Sequence, residues 1–177
     1  MTEKALDYLI EAGLDAANVD IKGNAAIVKK YCHADVEKVW QNCRIMRAQK
    51  IHLEITTLLV RGVNDDLASV SEIGSRILSE LGNIPWHLTR YFPSYKFSNP
   101  ATSVEFLEDA CQMAKGLGFK FVYLGNVPGH PFEYTYCPQC GSVLIQRGGL
   151  SLLANRITEQ GKCPKCGYDI RQDIVMR

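Results

Sequence analysis

Four of the seven cysteines sit in two matching units, CPQCG and CPKCG, which place Cys137, Cys140, Cys163 and Cys166 in a C-x2-C-x22-C-x2-C array. A tight turn closed by Gly141 or Gly167 brings each pair of sulfurs together. Four thiolates converging on one ion suit tetrahedral zinc, or iron in a rubredoxin-like site. So short a stretch has little apolar core of its own, and a metal is the staple it needs. Cys32, Cys43 and Cys111 lack ligand spacing; Cys43 and Cys111 fall on helical stripes and read as core residues.

A second set of reactive side chains lies on segments that read as strands. AANVDIKG puts Asp20 and Lys22 two residues apart, on one side of an extended chain. Asn18 shares that side. His52, Glu54 and Thr56 share a face of IHLEITTLLV, and His87, Thr89 and Tyr91 share a face of IPWHLTRY. A strand covered on both faces should be almost wholly apolar, and burying such groups unpaired costs about 2–7 kcal/mol each. The three polar faces therefore look into a common interior, as in a barrel or curved partial barrel whose lumen holds a ligand. Asp20, Lys22, Thr56, Thr57 and His87 lie toward the carboxyl ends of their strands, where ligands bind in such folds. Taken singly, Asp20 and Lys22 could equally be structural charges that pair with each other. His52 and Glu54 lie earlier on their strand and read as a satisfied interior network.

The elements that position these groups alternate in kind. TEKALDYLIEAG carries Leu6, Leu9 and Ile10 on a helical stripe. DVEKVWQNCRIMRAQ carries Val36, Val39, Trp40, Cys43 and Met46 behind an Asp35 cap, and DLASVSEIGSRILSELG carries Leu67, Val70, Ile77 and Leu81. In TSVE, Thr102 and Glu105 fit a capping box for the next helix, and FKFVYLG follows as a fourth strand. Helices between successive strands at this spacing are the mark of βα units building a parallel sheet. Asn64 to Asp66 can cap the helix after the second strand, and GNVPGH would put Asn126 at the rim of the polar interior. From Tyr134 onward short segments, glycines and paired cysteines take over, so the chain divides at about residue 130.

The 177 residues are 46% hydrophobic and 22% charged, with a net charge of +1. That composition is globular, and the small net charge argues against nucleic-acid binding driven by bulk charge. No apolar run is long enough to span a bilayer, and MTEKALDYLIEAG is a charged amphipathic pattern rather than a signal peptide. Paired cysteines of metal-ligand spacing fit a reducing compartment. The expectation is a cytoplasmic protein with neither nucleic acid nor membrane as partner.

With DIKG, EITTLLVRGVNDD, PWHLTRYFP and GNVPGHPFEYTYCPQCG in this order, the chain resembles the radical SAM proteins of the AmmeMemoRadiSam system, relatives of the pyruvate formate-lyase activating enzyme. The resemblance covers the carboxyl-terminal portion of that family. It implies the carboxyl-terminal half of a partial (β/α)6 barrel with part of the SAM site over residues 1–130, and a zinc-ribbon or rubredoxin-like module over 131–177. It implies S-adenosylmethionine and a [4Fe-4S] cluster as cofactors, with a 5′-deoxyadenosyl radical as the reactive product. By position, Asp20 and Lys22 match the groups that hold the amino and carboxylate ends of the amino-acid moiety, and His87 matches a histidine of the SAM site. Thr56 stands where an arginine is frequent, and Arg61 where a proline is usual. The partners implied are a Memo-family or glycyl-radical protein, or a complementary amino-terminal half. The CxxxCxxC cluster motif is absent from these residues, so the chain is expected to be a truncated, split or fragmentary enzyme. The alternative is a non-catalytic half barrel and ribbon that docks a partner.

Overall fold

The alternation of apolar and polar residues along His52–Leu59 is what a strand covered on one side requires, and it is the central ladder of the molecule. The computed structural model describes residues 1–149 and 151–174. The elements run α1 (Glu3–Glu11), β1 (Ala16–Asp20), α2 (Ala25–Cys32), α3 (Val36–Ala48), β2 (His52–Leu59), α4 (Leu67–Glu80), β3 (Trp86–Arg90), α5 (Val104–Gly116) and β4 (Val122–Gly125). The four strands are parallel and pair in sequence order, β1-β2-β3-β4.

That order has a consequence for the two faces. Parallel crossovers are right-handed. When each new strand adds on the same side of the last, every connecting helix lands on the same face. Leu53, Ile55, Leu59, Trp86, Leu88 and Leu124 line that face and are buried. Against them pack Trp40, Cys43, Met46, Val70, Ile77 and Cys111 from α3, α4 and α5. Fully burying each such side chain contributes about 1.5–3 kcal/mol. Among the described residues no α-helix covers the opposite face.

The helix ends are set by short polar side chains. Asn24 accepts from Ile27 N at 3.1 Å, Asp35 from Glu37 N at 3.0 Å and Asp66 from Ser69 N at 2.8 Å. The cap of α5 is Ser103, which accepts from Phe106 N at 3.2 Å. Thr102 does not form the expected capping box. Its side chain is buried, and its hydroxyl donates to the Leu59 carbonyl at the end of β2. A buried hydroxyl must be satisfied where it sits, so the tertiary bond takes precedence over the local one. Two apolar residues of the expected stripes, Leu9 and Leu67, are exposed, while Leu6 and Val70 beside them are buried.

The second sheet is antiparallel, β5 (Thr135–Tyr136), β6 (Val143–Gly148) and β7 (Ser151–Asn155). The ribbon expected over 131–177 includes residues 150 and 175–177, which lie outside the described residues. Its buried centre is Leu144, Ile170, Cys137 and Cys163, joined by Phe121 from the approach to β4. Phe121 thus ties the small sheet to the parallel one. Lys120 adds a bond to Tyr168 Oη at 3.0 Å and an ion pair with Asp173.

Gly74 marks the closest approach of α4 to the sheet: a Cβ there would meet Trp86 Cζ3 at 2.8 Å and Leu117 Cδ1 at 3.0 Å. Helix propensity favours alanine over glycine by about 1 kcal/mol, whereas overpacking a fixed core costs about 1–3 kcal/mol. Trp86 is fully buried and its indole nitrogen is bonded to Thr57 Oγ1 at 3.0 Å, so it has no room to yield. Gly74→Ala is expected to lower the free energy of unfolding by about 1–2 kcal/mol net in urea denaturation; equal or higher stability would show that α4 is free to move off the sheet.

Candidate functional site

Parallel register aligns one residue from each strand across the uncovered face. Asp20 lies opposite Thr56, Thr56 opposite His87, and His87 opposite Tyr123. Side chains paired in this way point to the same side, at strand spacings of about 4.8 Å. Three residues that the sequence singles out for one site, Asp20, Thr56 and His87, therefore stand in a single transverse line. Lys22 lies just beyond β1 and pairs with Asp20 at 3.2 Å, with both side chains roughly half exposed. Thr56 donates to Asn18 Oδ1 at 2.7 Å.

Behind this line is a carboxylate held by two imidazoles. Glu54 bonds His87 Nε2 at 2.7 Å through one oxygen and His52 Nε2 at 3.1 Å through the other. Burial pushes the Glu54 carboxyl up, but the hydrogen bond and charge of His87, followed by those of His52, outweigh it and bring it down to about 2. The His87 ring stacks on Tyr123 with centroids 5.1 Å apart. Tyr123 Oη shares a hydrogen bond with Thr135 Oγ1 of the ribbon at 3.0 Å, and burial raises its hydroxyl above the ordinary tyrosine range.

Two hollows open on this side of the molecule. A cleft of about 720 Å³ lies between the polar face and the ribbon, lined in part by His52, Glu54, His87, Tyr123, Asn126 and Arg147. A smaller hollow of about 210 Å³ lies at the carboxyl ends of β2 and β3, lined by Lys22, Tyr31, Leu58, Tyr91 and Phe97 among others. The expectation of one hollow shared by Asp20, Lys22 and His87 is not met, and Asp20 lines neither hollow. All three are on the same side, but Lys22 borders the small hollow and His87 the large one.

Asn64 is a site residue whose role its sequence position did not disclose. It is buried, accepts from Val60 N at 2.6 Å and donates to the Lys22 carbonyl at 2.9 Å and the Leu58 carbonyl at 3.0 Å. The loops after β1 and β2 are joined through this one amide, while Asp66 alone caps α4. Asn126, at φ 62°, donates to the Arg90 carbonyl at 3.0 Å and sits at the rim of the large cleft.

In the ribbon, Cys137, Cys140, Cys163 and Cys166 converge, with all four sulfurs within 4.8 Å of one another. Cys137 and Cys166 are 3.5 Å apart, Cys140 and Cys163 3.7 Å. A tetrahedron with zinc–sulfur bonds of about 2.3 Å has edges of about 3.8 Å, so the array fits a single ion. Two equivalent turns present it. Gly141 N donates to Cys137 O and Gly167 N to Cys163 O, both at 2.9 Å. Gly141 and Gly167 adopt φ of 70° and 75°, the left-handed region that favours glycine. Outside the ribbon, Cys43 and Cys111 are fully buried on α3 and α5, and Cys32 is exposed at the end of α2. Among the described residues these three do not gather into a metal-binding group.

No protein-family model matches the chain. It is 42% identical over 166 residues to an uncharacterized protein of Methanocaldococcus jannaschii, a match that takes in 92% of this chain and 49% of the other. The chain spans about half the length of that relative. Its fold is similar to that of a domain of pyruvate-formate lyase-activating enzyme from Bacteroides vulgatus, with TM-score 0.59, 19% identity, and 70% and 74% of the two chains covered. It is also similar to a radical SAM methyltransferase from Sphaerobacter thermophilus, with TM-score 0.57, 18% identity, and 68% and 37% covered. These likenesses are of fold: a four-stranded parallel α/β unit of this kind is shared with that activating-enzyme domain and with part of that methyltransferase.

Two outcomes are expected of this site. Glu54 has its carboxyl depressed in the folded state, so its stabilising contribution is complete above about pH 4.5 and is lost as pH falls toward about 2. The stability difference between the wild type and Glu54→Gln should shrink from on the order of 1–3 kcal/mol at pH 5 to near zero at pH 2; a difference independent of pH would mean that the imidazoles do not hold the carboxylate. Elemental analysis should find about one zinc or iron per chain and no acid-labile sulfide. Cys163→Ser should lose that metal and make the ribbon sensitive to protease; retention of a full equivalent would sink the four-thiolate site.

Proposed function

We propose that this chain is the carboxyl-terminal portion of a radical SAM enzyme, carrying part of the S-adenosylmethionine site on the uncovered face of the sheet and a structural metal in the ribbon. The observation that carries this reading is the transverse line of Asp20, Thr56, His87 and Tyr123 on the helix-free face of a sheet whose strands pair in sequence order. These four polar groups share one face, and His87 and Tyr123 among them line the cleft that the ribbon closes over part of it, a concave polar setting suited to a ligand. The Asp20–Lys22 pair is half exposed and so is available to a zwitterion: the carboxylate to an ammonium group, the ammonium to a carboxylate. Thr56 and His87 extend the same surface toward the remainder of the ligand.

In such enzymes a reduced iron–sulfur cluster bound to S-adenosylmethionine supplies the radical chemistry. The described residues do not fit that cluster, because the four ribbon thiolates form a closed set and the other three cysteines stand apart. No step of cleavage is therefore assigned to this chain's own side chains. Its contribution is to bind and orient the cofactor and, through the Glu54 network, to fix the ring of His87.

Within the class, the ordered motifs from DIKG to CPQCG favour the AmmeMemoRadiSam proteins, a cytoplasmic setting, and a Memo-family or glycyl-radical protein or a complementary amino-terminal half as partner. Among the described residues no helix is long and apolar enough to cross a membrane. The separation of the three remaining cysteines favours a second reading, a non-catalytic half barrel with a zinc ribbon that docks a partner.

Equilibrium dialysis of the purified chain against S-adenosylmethionine separates the two. Saturable binding that weakens about tenfold or more in Asp20→Ala is expected for the cofactor-site reading. An exposed pair contributes at most about 1 kcal/mol to stability, so that variant should fold normally. No saturable binding by the wild type would overturn the cofactor site and leave the docking module.

A further inference from the structure

The large cleft contains a cation that the cofactor reading does not use. Arg147 reaches it from β6 of the ribbon. Its Nη1 donates to Thr135 Oγ1 at 2.9 Å and to the Glu133 carbonyl at 3.2 Å, and its Cζ lies 5.6 Å from the centroid of the Tyr123 ring. These acceptors are neutral. Among the described residues no carboxylate pairs with this guanidinium, although two line the same cleft. Glu54 is taken by His52 and His87. Glu133 Oε2 accepts from Gly129 N at 2.7 Å and from Gly149 N at 3.4 Å. The ribbon thus holds a half-buried guanidinium whose hydrogen-bond acceptors are neutral and which, among the described residues, has no carboxylate within ion-pair distance, while Glu54 and Glu133 line the same cleft and are bonded elsewhere.

We propose that this cleft is a substrate subsite for a small monocarboxylate, anchored by Arg147 of the ribbon. The inference rests on reading the uncovered face as a ligand cavity and extends it by naming the ligand class. A planar guanidinium matches a carboxylate in shape and charge, and two parallel hydrogen bonds fix its orientation. The cleft volume of about 720 Å³ falls within the small-molecule range of about 300–1,000 Å³. The carboxylates of Glu54 and Glu133 line the same cleft and repel any anion in proportion to its charge, so a dianion such as hydrogen phosphate is disfavoured more than a monocarboxylate. The rings of Tyr123 and His87, stacked on one another, line the same cleft and add apolar surface for the body of such a ligand.

The test is an NMR titration of the full metal-loaded chain with benzoate, with inorganic phosphate as the counter-probe. Saturating shifts at the Tyr123 and His87 rings and at Arg147 Nε are expected with benzoate, together with weak or absent response to phosphate. Arg147→Gln should raise the benzoate Kd about tenfold or more, and Arg147→Lys, which keeps the charge without the fork, by less. If Arg147→Gln loses its ribbon metal, the Arg147→Lys comparison decides. No saturable benzoate response, equal affinity in the arginine variants, or phosphate binding as tightly would overturn the subsite. Benzoate binding without S-adenosylmethionine binding would overturn the cofactor reading alone, and the converse would overturn only the subsite.

Discussion

Four parallel strands pairing in sequence order can receive their helices on only one face, and that constraint governs everything else in this molecule. It buries Ile55, Leu59, Trp86 and Leu88 under α3, α4 and α5, and leaves Asp20, Glu54, Thr56 and His87 without a covering layer. A doubly wound sheet reverses its strand order and puts helices on both faces. On such a sheet the same charged residues would be buried at a cost of several kcal/mol each. The polar residues are affordable because the topology leaves that face unoccupied by helices.

The ribbon then closes part of what the helices leave open. Phe121 enters its small core, Thr135 bonds Tyr123, and Lys120 pairs with Asp173. These contacts turn a flat polar surface into a cleft, and bring Arg147 and Glu133 opposite His87 and Glu54. The four-cysteine array, whose sulfurs lie close enough to hold one ion, and the cleft are therefore parts of one segment. An ion held by these four sulfurs would staple a segment that has little core of its own, and that segment presents side chains to the sheet.

Much of the layout was legible in the residues. The period-two pattern of His52–Leu59 and the helical stripe of Val36 to Met46 announced their elements, and the CPxCG units announced their turns and their convergence, because each depends only on local geometry. The likeness of this chain's fold to domains of radical SAM enzymes agrees with the α/β alternation read from the same patterns. Thr102 and Asn64 were not legible. Each is a plausible local cap by position, yet each is buried and donates to a carbonyl far away in sequence, Thr102 to Leu59 at the end of β2 and Asn64 to Lys22 just past β1. Arg147 was equally silent, since nothing around it in GSVLIQRGG distinguishes a ribbon surface arginine from one that faces a cleft.

The sequence by itself determined which side chains could share a face, because alternation along a strand and the reach of a CxxC turn are properties of a few consecutive residues. Only the tertiary structure decided which of them meet. Strand register set Asp20, Thr56, His87 and Tyr123 in one line, while Lys22 lines a different hollow from His87. Docking of the ribbon supplied the cation opposite them. Register and docking are fixed by contacts between segments far apart in the chain, whose collective packing energy no single stretch of residues records.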